Sequence, residues 1–280
     1  MEDKELAEIA QAEAFYFSGH TKQCVKIVEK YLKSEDIMLR ISADILCTFA
    51  NMTLGDINAV QMAREDVNCS MKNAMQGNWD LEIQASCLFA VYAICILIHI
   101  PPEEDFPLLQ DYLRYLPKGQ RLFALHMLAH AAYLEKEYAK GQGIVQTALA
   151  MPDQIYPISF VYLNCLAAVC QINQKDSYGA RESVVKAWEI ARKDKFVEPF
   201  IEYHSLLQGV LDVWAKNEEP KAYKKLMKEV KAFGHGWRKI HNPEMQKTVT
   251  DLGVRTFSWT KLLFLNYVYT EMDSFHPAIF

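Results

Sequence analysis

Apolar residues recur along this 280-residue chain at steps of three and four, the period of one helix face and not the strict alternation of a strand. The clearest instance lies around Ala43 to Ala74. On a first arm Ile41, Ile45, Phe49 and Met52 fall on one stripe, and on a second arm Val60, Ala63, Val67, Met71 and Ala74 do the same. Between the arms stands Leu54-Gly55-Asp56. Gly55 can take the left-handed conformation that closes a helix, and Asp56 can accept from the free amides that open the next. The stretch therefore reads as two amphipathic helices folded back on each other.

The same order of apolar helix, polar turn and second helix recurs, marked by a small or apolar residue opening each second arm: Cys24, Val60, Gly141 and Ala180. Their spacings are 36, 81 and 39 residues, and 81 is close to two units, so a divergent unit should lie between Val60 and Gly141. A two-helix repeat of this length is the mark of a tetratricopeptide-like solenoid, in which each hairpin buries its apolar face against its neighbours. The divergent unit falls at Trp79 to Leu116. There Pro101 and Pro102 end a first helix, and Phe106, Leu109, Tyr112 and Leu116 supply the stripe of a second. Lys118-Gly119 opens the next hairpin, with Leu122, Leu125, Ala129 and Ala132 on its stripe. Another first arm starts near Pro157, with Tyr162, Cys165, Val169 and Ile172. A last pair runs from Phe200 to Trp214 and Lys221 to Phe233, closed by Gly234 as a cap. The expected fold is all-α: antiparallel helix hairpins stacked in a right-handed superhelix over residues 1–245, followed by an atypical segment at 246–280. Cys24, Phe49, Val67, Val145, Tyr162, Val169, Val184 and Leu226 should be buried.

Composition narrows the class. With 51% hydrophobic and 23% charged residues the chain has an ordinary folded composition, and 11 Gly with 10 Pro are too few for Gly-rich nucleotide loops or a β-sandwich. The acidic start MEDKELAEIA is neither a secretion signal nor a presequence, and the longest apolar run, Cys87 to Ile98, is short for a membrane span. A cytoplasmic protein with no membrane partner is expected. The odd number of cysteines, seven, with no CxxC pair suits buried thiols. In that setting the sequons at Asn51 and Asn68 carry no meaning.

The units at Phe15 to Leu32, Ala43 to Ala74 and Val161 to Ala191, with KKLMKEVKAFGHGWRKIHNP at Lys224 to Pro243, resemble the sensor half of large bacterial LuxR-type transcription regulators of the MalT-like kind. The likeness covers roughly residues 5 to 245. It implies helical repeats that bind a signal or a regulatory protein, with an ATPase before them and a helix-turn-helix after. This chain shows no phosphate-binding GxxxxGK[ST], and after Pro243 its 37 residues contain no helix-turn-helix pattern. Gly253 to Phe280 crowds Trp259, Leu262, Leu263, Phe264 and Leu265 together. It is expected to be a capping helix, a sticky oligomerisation segment or the remnant of a frame altered near residue 250, leaving no sequence-specific DNA binding.

His126 and His130 stand four apart in LHMLAH and so share a helix face, the geometry of two metal-binding imidazoles. A zinc protease helix would carry Glu after the first His, where this chain has Met127, and no third ligand is evident, so no metal or other cofactor is assigned. First arms of stacked hairpins line a concave surface, which joins Tyr162, Asn164, Tyr203 and His204 to the two histidines as groove candidates. Lys221, Lys224, Lys225, Lys228 and Lys231 form a stripe, with Arg238 and Lys239 beyond it. From Lys216 to Lys247 nine basic and four acidic residues give a net of +5, leaving −10 on the rest of a chain at −5. Such asymmetry suits an acidic partner or nucleic acid, but a lysine stripe opposite an apolar one is more often a solvated face. No GxSxG, GxGxxG or Cys-His signature appears, while Glu198 and Glu202 are acids that can meet distant partners in space. The expected function is non-catalytic: a repeat scaffold that binds a protein, peptide or small signal in its groove, as the signal-sensing part of a transcription regulator. The alternative is a metal-binding or enzymatic helical protein centred on His126 and His130.

Overall fold

The computed structural model describes residues 2–100, 102–151 and 156–241. Within them the chain is all-helical, and no β-strand occurs among the described residues. The order is α1 (Glu2–Phe17), α2 (Thr21–Val28), α3 (Ile37–Leu54), α4 (Ile57–Gln76), α5 (Leu81–Ile98), α6 (Leu109–Tyr112) and a 3-10 turn (Leu113–Tyr115). Then follow α7 (Lys118–Leu134), α8 (Tyr138–Ala150), α9 (Pro157–Asn173), α10 (Ser177–Asp194), α11 (Glu198–Tyr203), α12 (Val210–Glu218) and α13 (Pro220–His241). The segment 246–280 and its expected roles lie outside the described residues.

Local chemistry sets the hairpins. Gly55 closes α3 at φ +74°, its N–H donating to the Asn51 carbonyl at 2.7 Å, and the Asp56 carboxylate accepts from the Ala59 amide to open α4. Asp36 opens α3 and Asp176 opens α10 in the same way. The ends of the first arms share one further feature. Gly19 after α1, Gly55 after α3, His99 after α5, Lys136 after α7 and Lys175 after α9 all have φ between +52° and +77°. A left-handed residue reverses the chain within a few residues, so each first arm packs on the helix that follows it: α1 on α2, α3 on α4, α7 on α8 and α9 on α10.

First arms also pack on one another, α1 on α3, α3 on α5, α5 on α7, α7 on α9 and α9 on α11. The series then returns to its start. α11 touches α1, and the Val197 amide donates to the Phe17 carbonyl at 2.7 Å. α13 lies across this ring against α3, α11 and α12. All eight residues expected in the core are buried, from Cys24, Val67, Val145, Val169 and Val184 at 0% exposure to Phe49 at 4%. Six cysteines are buried free thiols and Cys69 is exposed. α3 and α5 are long and apolar enough to cross a membrane by length and composition, and two-thirds of each is buried inside the fold.

Three expectations about elements are corrected. The second arm of the divergent unit is reduced to the single turn of α6 and a 3-10 turn. Phe106, Leu109 and Leu116 are still buried, held under α5 and α7 by a loop in place of a full helix. The expected arm from Phe200 to Trp214 is broken into α11 and α12, because Gln208 and Gly209 take φ of +45° and +84°. Gly234 is not a cap: α13 runs through it to His241. The glycine that matters there is Gly236, whose Cα approaches the end of α3 so closely that a Cβ would lie 1.8 Å from the Met52 carbonyl oxygen.

Candidate functional site: a chamber beneath the last helix

Where α13 crosses the inner helices it leaves a cavity of about 210 Å³. Phe49 of α3, Phe123 of α7, and Phe233 and Trp237 of α13 give it aromatic walls, with Ala93 and Leu97 of α5 beside them. Its polar lining is His99, His126, His130, Tyr162, Glu202, Tyr203 and Ser205. These side chains come from α7, α9 and α11 and from the residues just after α5 and α11, so the ring of first arms is what brings them together.

Two hydrogen-bonded groups make up this lining. In the first, the Tyr203 hydroxyl lies 2.6 Å from His126 Nε2 and 2.8 Å from His130 Nδ1. The one-turn spacing of the two histidines on α7 places both rings within reach of one hydroxyl on α11. His126 is 3% and His130 5% exposed. His126 Nδ1 and His130 Nε2, the ring atoms left over, have no hydrogen-bond partner. Burial holds the His126 imidazole down at about 3 and the His130 imidazole well below its ordinary range, with the neighbouring His99 and His126 adding to the effect on His130. Both rings are therefore neutral at physiological pH. His99, the left-handed residue ending α5, sets its ring 5.3 Å from His130 and 4.9 Å from Trp237, both edge-on.

In the second group, the Tyr162 hydroxyl donates to both Glu202 oxygens at 2.9 Å, and the Tyr16 hydroxyl of α1 donates to Glu202 Oε1. Burial raises the Glu202 carboxyl to about 7, against the opposing pull of the two tyrosine hydroxyls. One turn earlier, Glu198 is 1% exposed with Oε2 unpartnered, and burial followed by repulsion from Glu202 holds its carboxyl well above the ordinary range. The two acids named in the sequence thus sit at the joint where α11 meets α1 and α9.

Of the six groove candidates, His126, His130, Tyr162 and Tyr203 converge on the chamber and two do not. Asn164 is buried, but its Nδ2 donates to the Phe160 carbonyl of its own helix at 2.7 Å. His204 Nε2 lies 3.1 Å from Asp212 Oδ1, which also accepts from the Tyr223 hydroxyl, a link that ties α11, α12 and α13 together. Lys221, Lys224, Lys225, Lys228, Lys231 and Arg238 are exposed and Lys239 is partly covered, on the side of α13 opposite its buried Leu226 and Phe233. Sequence reasoning missed His99, Tyr16, Phe233 and Trp237 as members of this site. Each lies far along the chain from the histidines, and no spacing rule joins them.

Among the described residues no three His, Cys, Asp or Glu side chains are grouped so as to hold a metal ion. A second cavity, of about 540 Å³, lies between α1, α10 and α13. Its basic side chains, His20, Arg192, Lys195 and Lys225, are all exposed. Compared with protein-family models, curated proteins and solved structures, the chain gives no match.

Proposed function

We propose that this protein is a non-catalytic receptor for a small molecule, built from tetratricopeptide-like hairpins wound in a right-handed superhelix and closed by α13. The observation that carries the reading is the chamber itself, an aromatic-walled cavity with the hydrogen-bonded His126, Tyr203 and His130 in its lining. Size selects the guest. A dry cavity of about 150 Å³ takes a benzene ring, and one of about 210 Å³ takes a ring with a short polar substituent, not a peptide.

Signal sensing is the role such a site supports, in keeping with the resemblance to LuxR-type sensor regions. Phe233 and Trp237 are wall residues of the chamber and also part of α13. Filling the chamber therefore bears directly on how α13 seats against α3 and α11, and α13 carries the basic face at the protein surface. The test is a ligand-observed NMR screen of small aromatic compounds against the wild type and against Ala93→Phe, which fills the chamber from α5. Ala93→Leu serves if the phenyl ring is not accommodated. Compounds that bind the wild type and not the filled variant support the proposal. A screen without binders, or binders indifferent to the filling, overturns it.

A further inference from the structure

Inside the ring of first arms a third cavity, of about 400 Å³, stands back to back with the chamber, and Phe49, Ala93 and Phe123 line both. Its walls are aromatic: Phe17, Phe49, Phe89, Phe123, Tyr156 and Phe196. Among the described residues of this lining one carries a charge, Glu13 of α1.

The Glu13 side chain is set towards this hollow. Ile9, Glu13 and Phe17 stand at steps of four, so they share one face of α1, and all three line the cavity. Glu13 is exposed, unlike the buried Tyr16 and Phe17 beside it, so a guest can reach it. Burial nonetheless raises its carboxyl above the ordinary range. An acid on the outer surface is solvated on all sides and one in the core is out of reach, whereas a hollow gives both properties together. Glu8, on the same helix, is paired with Lys30. Among the described residues Glu13 has neither a hydrogen bond nor an ion pair.

A lone negative charge in an aromatic-walled hollow favours a positive guest on two grounds. The carboxylate gains a charge-assisted hydrogen bond, and ring faces attract a cation through their quadrupole. The opposing influence is smaller. Gly119 and Pro157 bring the first turns of α7 and α9 to the cavity, and the positive end of a helix amounts to about half a charge. It repels a cation, which sets the guest's charge on the α1 side. A cavity of about 150 Å³ takes a benzene ring, so one of about 400 Å³ has room for a ring with an aminoalkyl arm. We infer that this cavity binds a small organic cation, a protonated amine on an aromatic body, with Glu13 as its counter-ion. The site is separate from the chamber, and neither reading depends on the other.

The test titrates phenethylamine, phenethyl alcohol and hydrocinnamate calorimetrically into the whole protein at mildly alkaline pH, where the amine is protonated and Glu13 ionised. The three probes are close in size and are cationic, neutral and anionic. The amine is expected to bind about tenfold or more tightly than the alcohol, the worth of one hydrogen bond between charged groups, and to exceed the anion by more. Glu13→Gln keeps the shape of the side chain and removes its charge. It should bring amine and alcohol to parity while leaving the alcohol's affinity unchanged, which also shows that the variant's cavity is intact. Nuclear Overhauser contacts from the bound amine to Ile45 and Phe89, which line this cavity and not the chamber, locate it. An alcohol or anion that binds as tightly as the amine, a preference that survives Glu13→Gln, or an amine that does not bind overturns the proposal. Loss of both amine and alcohol in Glu13→Gln gives the residue a structural role and also overturns it. If the amine seats against Phe233 and Trp237 instead, the chamber reading stands and this one falls.

Discussion

Two glycines on α13, two residues apart, should respond to the same substitution with opposite signs. In a helix interior alanine is favoured over glycine by about 1 kcal/mol. A Cβ at Gly234 meets nothing within 4 Å, so Gly234→Ala should stabilise the protein by up to about 1 kcal/mol. At Gly236 the Cβ would lie 1.8 Å from the Met52 carbonyl oxygen, 3.0 Å from its carbonyl carbon and 3.1 Å from the Gly55 amide nitrogen. These are backbone atoms at the end of α3 and cannot swing aside. To reach the 3.4 Å of ordinary contact, α13 must retreat by about 1.6 Å. A gap of even 0.5–1 Å forfeits roughly a quarter to a half of the dispersion energy across an interface, and the buried Leu226 and Phe233 lie on the same helix. Overpacking costs typically about 1–3 kcal/mol. Gly236→Ala should therefore lose about 2 kcal/mol net of the propensity gain, a contrast of roughly 3 kcal/mol with Gly234→Ala. Urea denaturation followed by circular dichroism, with hydrogen exchange along α13, measures both. If the two variants agree within about 0.5 kcal/mol, the ordinary scatter of surface substitutions, α13 does not seat on α3 as described.

Phe49→Ala should cost roughly 3–5 kcal/mol, since the ring is 4% exposed between Tyr16 and the chamber; a loss below about 0.5 kcal/mol in the same urea titration would place it outside the core. Lys175→Gly should stabilise the protein by about 1 kcal/mol, because its φ of +64° strains any residue with a Cβ and its side chain is exposed; a destabilised variant would contradict that. Glu202 titrates at about 7 in the fold against an ordinary 4.5, so its protonated form is the one the fold favours. Its contribution is fully present below about pH 4.5 and is lost as pH rises through about 7, at up to about 1.4 kcal/mol per pH unit. The stability of wild type minus that of Glu202→Gln should fall across that window, and a rise would reverse the assignment. Taking the difference removes the opposite slope from His126, whose contribution is lost as pH falls from 6.5 towards 3.

The helices and most of the core were legible because burial imposes a period. Phe49, Val67, Tyr162 and Val184 lie on stripes that the sequence displays openly, and Gly55-Asp56 spells out a stop and a start. Other turns were harder to see, since His99, Lys136 and Lys175 take the left-handed conformation without the glycine that announces it. Closure of the ring was not legible at all. It depends on Phe17 meeting Val197 and on Tyr16 meeting Glu202, pairs separated by most of the chain. The histidine pair was visible from its spacing, whereas Tyr203 between the two rings, and Trp237 and Phe233 over the chamber, follow from where α11 and α13 land. The lysine stripe on α13 was conspicuous. The wall residues on the opposite face of that helix were not, because an amphipathic pattern says that a face is covered without saying what covers it.

The most direct test of the chamber as a binding site is a set of intermolecular nuclear Overhauser measurements on the protein with a small aromatic compound from the screen bound. The account predicts contacts from the ligand ring to Phe123, Phe233 and the Trp237 indole, and to the His126 and His130 ring protons. Contacts to Phe15 and Trp188, in the larger cavity between α1, α10 and α13, or a complex with no contacts to the two histidines, would contradict it.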